Sequence, residues 1–514
     1  MEIAAQDGVG EFHGKKVFLS NIYKVLNGLK TDEASRYSRA FILASSDLGG
    51  QKLKNNNEIV KLSENIKMDF LNNPLRSKPI GFYTWNNELK QIFQQDRLLQ
   101  TVLVTPLPHN TSVTLSKAII DAGEENFYVT YLTLCEKLTN PFIGEVKDLR
   151  LIIDKLSHGE KNGIKGAFVF FPPSRSYETE LIKELYGYEV IPEGFNLADK
   201  LIEEVRSGHL DITPEENSGW YDYQTYSLEP LILPDKFPEA KKVEFSEPYK
   251  KQILTLFKST LSLMRETHVK QGEFPWVALG LICPGIPTPT PKPVIYISPE
   301  LSMEPLVTYY LRRAQSYSFI HKVLLDAFGK ESLKQIHRFT VDGPVEKDLD
   351  QELSYIEALF YGSAELVACE IGCKPDLSSH YTPSIEKTEA IKTAREWTCN
   401  LDKDSDVYRD NRMMVPVFYD LQRQKTKVWV FLGYETKPLY VNFKSNPAVK
   451  VFGKDGKELR APLDVYIFYR NSEKDLIYPV FAEIYVNKIL DREEFRNLCD
   501  KYKTRSEILE ALQN

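Results

Sequence analysis

The spacing of apolar positions divides this chain into a long stretch of helical period and a shorter C-terminal stretch that alternates. Residues 17–145 read mainly as helices broken by short loops, with Asn55-Asn56-Asn57 and Leu71-Asn72-Asn73-Pro74 as turns. Thr84 is placed to cap a helix near Asn86–Phe93. Ala167-Phe168-Val169-Phe170-Phe171 is a short apolar run, expected as a buried strand that stops at Pro172-Pro173. Ser174 or Ser176 then caps a helix through Tyr186. A well-marked helix is expected over 251–271, introduced by Ser246-Glu247-Pro248 and stopped by Gly272. Pro284, Pro287, Pro289, Pro291 and Pro293 make the next segment an extended spacer. Val294-Ile295-Tyr296-Ile297 follows as a strand, and long helices occupy about 303–328 and 347–371.

From Met414 the period falls to two. Val415–Leu421, Lys427–Tyr434, Leu439–Phe443, Val449–Phe452, Val465–Tyr469 and Leu476–Val486 are strand-like runs rich in Val, Tyr, Phe and Ile. Two short helices, about 491–502 and 504–512, close the chain. The expected class is α+β: a largely helical body with short strands, plus a C-terminal antiparallel β-sandwich-like domain. The expected division is an N-terminal helical domain over 1–165, a central mostly helical one over 166–400, and the β domain over 414–514.

Composition narrows the function classes. A chain of 514 residues with 42% hydrophobic and 27% charged residues is that of a multi-domain soluble protein. A net charge of -7, with lysines and glutamates interspersed, argues against a nucleic-acid partner. No apolar run is long enough for a transmembrane helix. Met1–Asp7 lacks a basic start and an apolar run, so no signal peptide is expected, although a mature exported chain would look the same. Six scattered cysteines do not form a disulfide framework, and Cys369, Cys373 and Cys399 with His380 fit no zinc spacing, so free thiols are expected.

Candidate chemistry gathers between 218 and 321. Ser218-Gly219-Trp220-Tyr221-Asp222-Tyr223-Gln224-Thr225-Tyr226 sets four aromatics around one acid, a platform for a sugar face or a packed domain junction. On a wheel of the 251–271 helix, Ile253, Phe257, Leu261 and Met264 form a stripe with His268 in its middle and Arg265 at its edge. An imidazole there is either a hydrogen-bonded core histidine or a functional one. Glu266 points away, toward Lys270, as a solvated pair. On the 303–328 helix, Leu306, Tyr310, Tyr317, Ile320 and Leu324 share a face. Arg313 falls between the two tyrosines and His321 beside them, while Arg312 lies off that face. A guanidinium in that position needs an acid such as Asp222 or Glu229, or a bound anion. The ligand-binding candidates are therefore Trp220, Tyr223, Arg265, Tyr310, Arg313 and His321; the catalytic candidates are His268, Asp222 and Glu229.

Asp402, Asp404, Asp406 and Asp410 repeat as in the first half of a calcium loop, but Val407 replaces the glycine and Met413 the closing glutamate. Calcium is thus the one metal with a candidate loop, and no other cofactor is expected. There is no nucleophile elbow, phosphate loop, dinucleotide fingerprint or zinc-protease motif, whereas a two-carboxylate hydrolase leaves no short signature.

Leu263-Met264-Arg265-Glu266-Thr267-His268-Val269-Lys270-Gln271, Ser298-Pro299-Glu300-Leu301 and Leu490-Asp491-Arg492-Glu493-Glu494-Phe495 resemble patches of an uncharacterised family of large bacterial and archaeal proteins, many of them exported. The spacing from Thr267 to Lys270 is shorter than the family's. The resemblance implies an extracytoplasmic home and assigns no chemistry. The leading expectation is a binding or interaction protein for an unknown protein or small-molecule ligand. The alternatives are a hydrolase, acting on carbohydrate, with its pocket between helices 251–271 and 303–328, and a calcium-dependent extracellular scaffold. A deep pocket gathering Asp222, Arg265, His268 and Arg313 would favour the enzyme; a flat, paired cluster would favour the binding module.

Overall fold

Three of the strands after Met413 form one sheet in the computed structural model, whereas the expected runs Val449–Phe452 and Val465–Tyr469 fall outside it, Val451–Phe452 pairing antiparallel with Glu458–Leu459 and Ile467–Tyr469 pairing parallel with Ile295–Ile297. The structure describes all residues except 31, 55, 104–109, 140, 141, 143–146, 160–165, 188, 189, 193, 268–294, 298–300, 341, 342, 377–380, 401–411, 421, 445–450, 453–457, 460–466, 470, 471 and 503. Strand Lys425–Phe443 is its spine, paired antiparallel with Met413–Asp420 on one side and Ser472–Val486 on the other. The expected strands Lys427–Tyr434 and Leu439–Phe443 are therefore a single strand. The polar break between them reads as a turn, but Ser472–Tyr478 carries the ladder straight across it. A bulge sets two residues, Leu432 and Gly433, against Val480, and Gly433 supplies the positive φ of 97° that it needs.

Alternation assigns the two faces. Met414, Val428, Val430, Leu432, Ile484 and Val486 bury against Phe495, Cys499, Ile508 and Leu512 of helices Arg492–Lys501 and Arg505–Gln513. Val415, Val417, Trp429, Phe431 and Phe481 point the other way, into a core with Ile253, Phe257, Leu261 and Met264 of helix Glu247–Thr267. Helices thus cover both faces of this α+β sheet, where a sandwich would need a second sheet. The apolar core is continuous from Tyr177 to Phe481.

The N-terminal helices enclose a second core around Phe18, Ile22, Phe41, Leu99, Ile119 and Tyr128. Helix Val307–Phe328 belongs to both: Val307, Leu311 and Ala314 lie in the central core, Ile320, Leu324 and Phe328 in the N-terminal one. Its start is set from far away. Glu239 accepts from the Thr308 backbone N–H at 3.1 Å and from its hydroxyl at 2.9 Å, filling the role of an N-cap and placing a carboxylate where the helix dipole favours it.

Local capping corrects one expectation. Asn86, not Thr84, caps helix Asn87–Leu99, its side chain accepting from the Leu89 N–H at 2.8 Å; Thr84 instead donates to the Gly81 carbonyl. Helix Lys387–Asn400, which the apolar pattern does not announce, lies on Leu349–Ile371 through small residues. Ala390 and Ala394 are fully buried, and a Cβ on Gly362 would run into the Ala390 carbonyl. Such close packing leaves no stripe of large apolar residues to read.

Candidate functional site

Helix Trp220–Ser227 is two turns long and presents different chemistry on its two sides. Its entry is clamped to the end of helix Glu125–Leu138: the Tyr221 N–H donates to the Thr139 carbonyl at 2.9 Å, and the Lys137 ammonium donates to the carbonyls of Glu216 and Ser218 at 3.0 and 3.3 Å. Gly219 makes the approach feasible, because a Cβ there would strike the carbonyl oxygens of Thr139 and Glu136. At 100° per residue, Trp220, Tyr223 and Tyr226 fall on one side and Tyr221 and Asp222 on the other.

The inner side meets the start of helix Tyr177–Tyr186 in a crossed arrangement. The Tyr221 hydroxyl donates to Glu178, which lies 3.8 Å from the Arg265 guanidinium. Tyr177 in turn hydrogen-bonds Asp222, which Arg175 approaches at 3.4 Å while holding Glu180 at 3.1 Å. Each tyrosine thus serves the other helix's acid, and each acid faces one arginine. Glu178, Asp222 and Arg265 are at most 3% exposed. Burial pushes the Asp222 carboxyl up to about 6, against the opposing pull of Arg175, Ser218 and Tyr177. This cluster is internal and largely paired.

The remaining sequence candidates separate. Arg313 is 7% exposed, donates to the Tyr317 hydroxyl at 3.2 Å and lies over the rings of Tyr317 and Phe360. Among the described residues it pairs with neither Asp222 nor Glu229. Glu229 binds Arg312 at 2.7 Å and Lys236 at 2.6 Å, and Arg312 stacks on Tyr226 at 3.6 Å. The expectation that Arg312 lies off the packed face fails because helix Val307–Phe328 is covered on several sides, so a single stripe does not describe it. His321 holds Asp350 at 2.8 Å, and Tyr310 donates to Glu304 at 3.4 Å.

Glu266 is not a solvated residue. It borders a small cavity with Thr84, Met413, Met414 and Arg492, where desolvation pushes its carboxyl up to about 8 despite Arg492. His268, the Lys270 partner expected for Glu266, and Asp402, Asp404, Asp406 and Asp410 lie outside the described residues. Among the described residues no group of three His, Cys, Asp or Glu side chains is arranged to hold a metal, and no helix is long and apolar enough to cross a membrane.

The outer side of helix Trp220–Ser227 faces helix Val307–Phe328. Trp220 meets Tyr317 edge-on at 5.9 Å, and Tyr223 stacks on Phe319 at 4.2 Å. Beside that stack opens a cavity of about 720 Å³ between helices Glu125–Leu138 and Val307–Phe328, closed at one side by Tyr381 and Thr382. Val129, Thr130, Thr133 and Leu134 form one wall; Gln315, Ser318, Phe319 and Lys322 form the other. Tyr381 is held by Glu357, which accepts its hydroxyl at 3.2 Å and also takes the Ser384 N–H and hydroxyl. Of the sequence candidates among the described residues, only Tyr223 lines this groove. Gln315, Ser318 and Phe319 lie opposite the stripe of Leu306, Tyr310, Tyr317, Ile320 and Leu324, and nothing local marks that side as a wall. Comparison with protein-family models, with curated proteins and with solved structures gives no match.

Proposed function

We propose that this chain is a binding protein whose ligand occupies the groove between helices Glu125–Leu138 and Val307–Phe328. The observation that carries this reading is the groove itself. Its volume of about 720 Å³ suits a small organic molecule, and its lining mixes aromatic and aliphatic walls with a few polar groups. A hydrolase of the two-carboxylate kind needs a pair of acids meeting at open space. Among the described residues the groove has one carboxylate, Asp326, while Asp222 and Glu229 are engaged with cations elsewhere.

The test uses Nile red, a neutral dye whose emission shifts to the blue in apolar surroundings. Wild-type protein is expected to bind it saturably. Ser318→Trp, which fills the groove from an already half-exposed position, is expected to abolish the shift while leaving the melting curve in place. Equal binding by wild type and variant would overturn the reading.

A further inference from the structure

We propose that the groove takes a neutral saccharide, a short oligosaccharide in preference to a charged metabolite; this rests on the groove being the binding site. Electrostatics come first. The parts of both helices that border the cavity, Val129–Lys137 and Gln315–Ala327, run to their carboxyl-terminal ends, where the helix dipole is unfavourable to anions. The Lys137 ammonium is engaged with the Glu216 and Ser218 carbonyls, so it offers the groove mainly its methylene stem. Lys322 and Asp326 are exposed, opposite in sign and one turn apart, and offset each other at the mouth. A phosphate or carboxylate would find no built site here among the described residues.

Neutral hydrogen-bonding groups are plentiful. Thr130, Thr133, Ser318 and Thr382 bring hydroxyls, each a donor and an acceptor, and Gln315 brings an amide. None of the five has a side-chain hydrogen bond to another described residue. The aromatic groups Tyr223, Phe319 and Tyr381 share the same lining. Sugars combine dense hydroxyls with flat C–H faces that pack against such rings, which is the pairing of chemistries this groove presents. The Tyr381 wall is preorganised by buried Glu357, so less ordering is needed when the ligand arrives.

Isothermal titration at neutral pH with neutral oligomers of glucose, xylose, mannose and N-acetylglucosamine, and with a uronic-acid oligomer as the charged comparison, tests the assignment. At least one neutral series is expected to give saturable heat, and the uronic oligomer weaker or none. Tyr223→Ala is expected to weaken binding about tenfold through the lost ring contact. Thr133→Ala, at an exposed position with no fold to disturb, should weaken it less, and Ser318→Trp should abolish it. The saccharide class is overturned if no neutral oligomer binds, if the uronic oligomer binds more tightly, or if Ser318→Trp leaves saccharide affinity unchanged. Nile red separates the two failures: dye binding retained without sugar binding removes the ligand class alone, whereas dye binding indifferent to Ser318→Trp removes the groove as well.

Discussion

The two sides of helix Trp220–Ser227 place two kinds of polar surface back to back. On the inner side, Asp222 is fully buried and meets Tyr177 and Arg175, while Tyr221 and Arg265 meet Glu178. On the outer side, Tyr223 opens onto hydroxyls and an amide that no described residue engages. The inner groups are richer in charge and look more like catalytic machinery in sequence, yet they have been desolvated against one another. The outer groups are individually unremarkable, and they are the ones with room for a ligand. Charge density marks where a fold is held together as readily as where it acts.

The sharpest way to break this comparison is to remove an inner acid. Glu178→Ala takes the acceptor from the Tyr221 hydroxyl and the facing charge from Arg265, both buried. Breaking a buried pair in this way costs about 3–5 kcal/mol. Urea denaturation at neutral pH should show a loss of that order; a loss below about 1 kcal/mol would mean the crossed pairs are not coupled to folding.

A smaller effect follows from the titration of Asp222. Its carboxyl, pushed up to about 6 by burial, has an ordinary value of 3.8. Between those values the folded chain keeps a proton that the unfolded chain has lost. This group's contribution to stability therefore rises as pH falls from above 6 toward 4, and its full cost is present at neutral pH. Over two pH units that is roughly 3 kcal/mol at most. The charged groups around it are Arg175 and Glu180, with Tyr177 and Ser218 as hydrogen-bonding neighbours. Denaturation of wild type and Asp222→Asn at pH 7.5 and pH 5 should differ in slope, the wild type gaining relative to the variant at the lower pH. Parallel profiles would remove Asp222 from the account.

How far the sequence reached depends on the distance over which each feature is decided. Ile253, Phe257, Leu261 and Met264 form the stripe that the helical period implies, and all four are buried. Asp222 and Tyr223 stand out because an acid within a run of aromatics is visible in the sequence itself. What failed was decided by other segments. Arg312, not Arg313, takes Glu229, because the chain from Leu228 to Phe237 crosses on that side. Helix Val307–Phe328 begins where Glu239 caps it, from 69 residues upstream. Gln315, Ser318 and Thr133 acquire meaning only when two helices far apart in sequence border one cavity.

The junction between the two sides offers an intermediate test. Gly219→Ala would drive a methyl group toward the Thr139 and Glu136 carbonyls, against backbone that has little freedom to move. Overpacking of this kind costs about 1–3 kcal/mol. Because the same clamp seats Tyr223 in the groove, Nile red binding should weaken together with the melting temperature. Stability lost with dye binding intact would show that the groove is set by helix Val307–Phe328 alone.

The smallest expected effect is the most discriminating. If the outer hydroxyls have no structural partner, truncating them should leave the fold as it was. Thr133→Ala and Ser318→Ala each remove a hydroxyl from the groove lining at positions that are not fully buried, so the change in unfolding free energy should stay within about 0.5 kcal/mol. Both positions lie within helices, where alanine also has the better propensity, which can only push the result toward stabilisation. A loss above about 1 kcal/mol from either variant would reveal a partner for that hydroxyl and erase the contrast with the inner side. No loss of stability, combined with a measurable loss of ligand affinity in the same variants, is the signature of a surface held for binding, and the buried cluster around Asp222 and Glu178 cannot produce it.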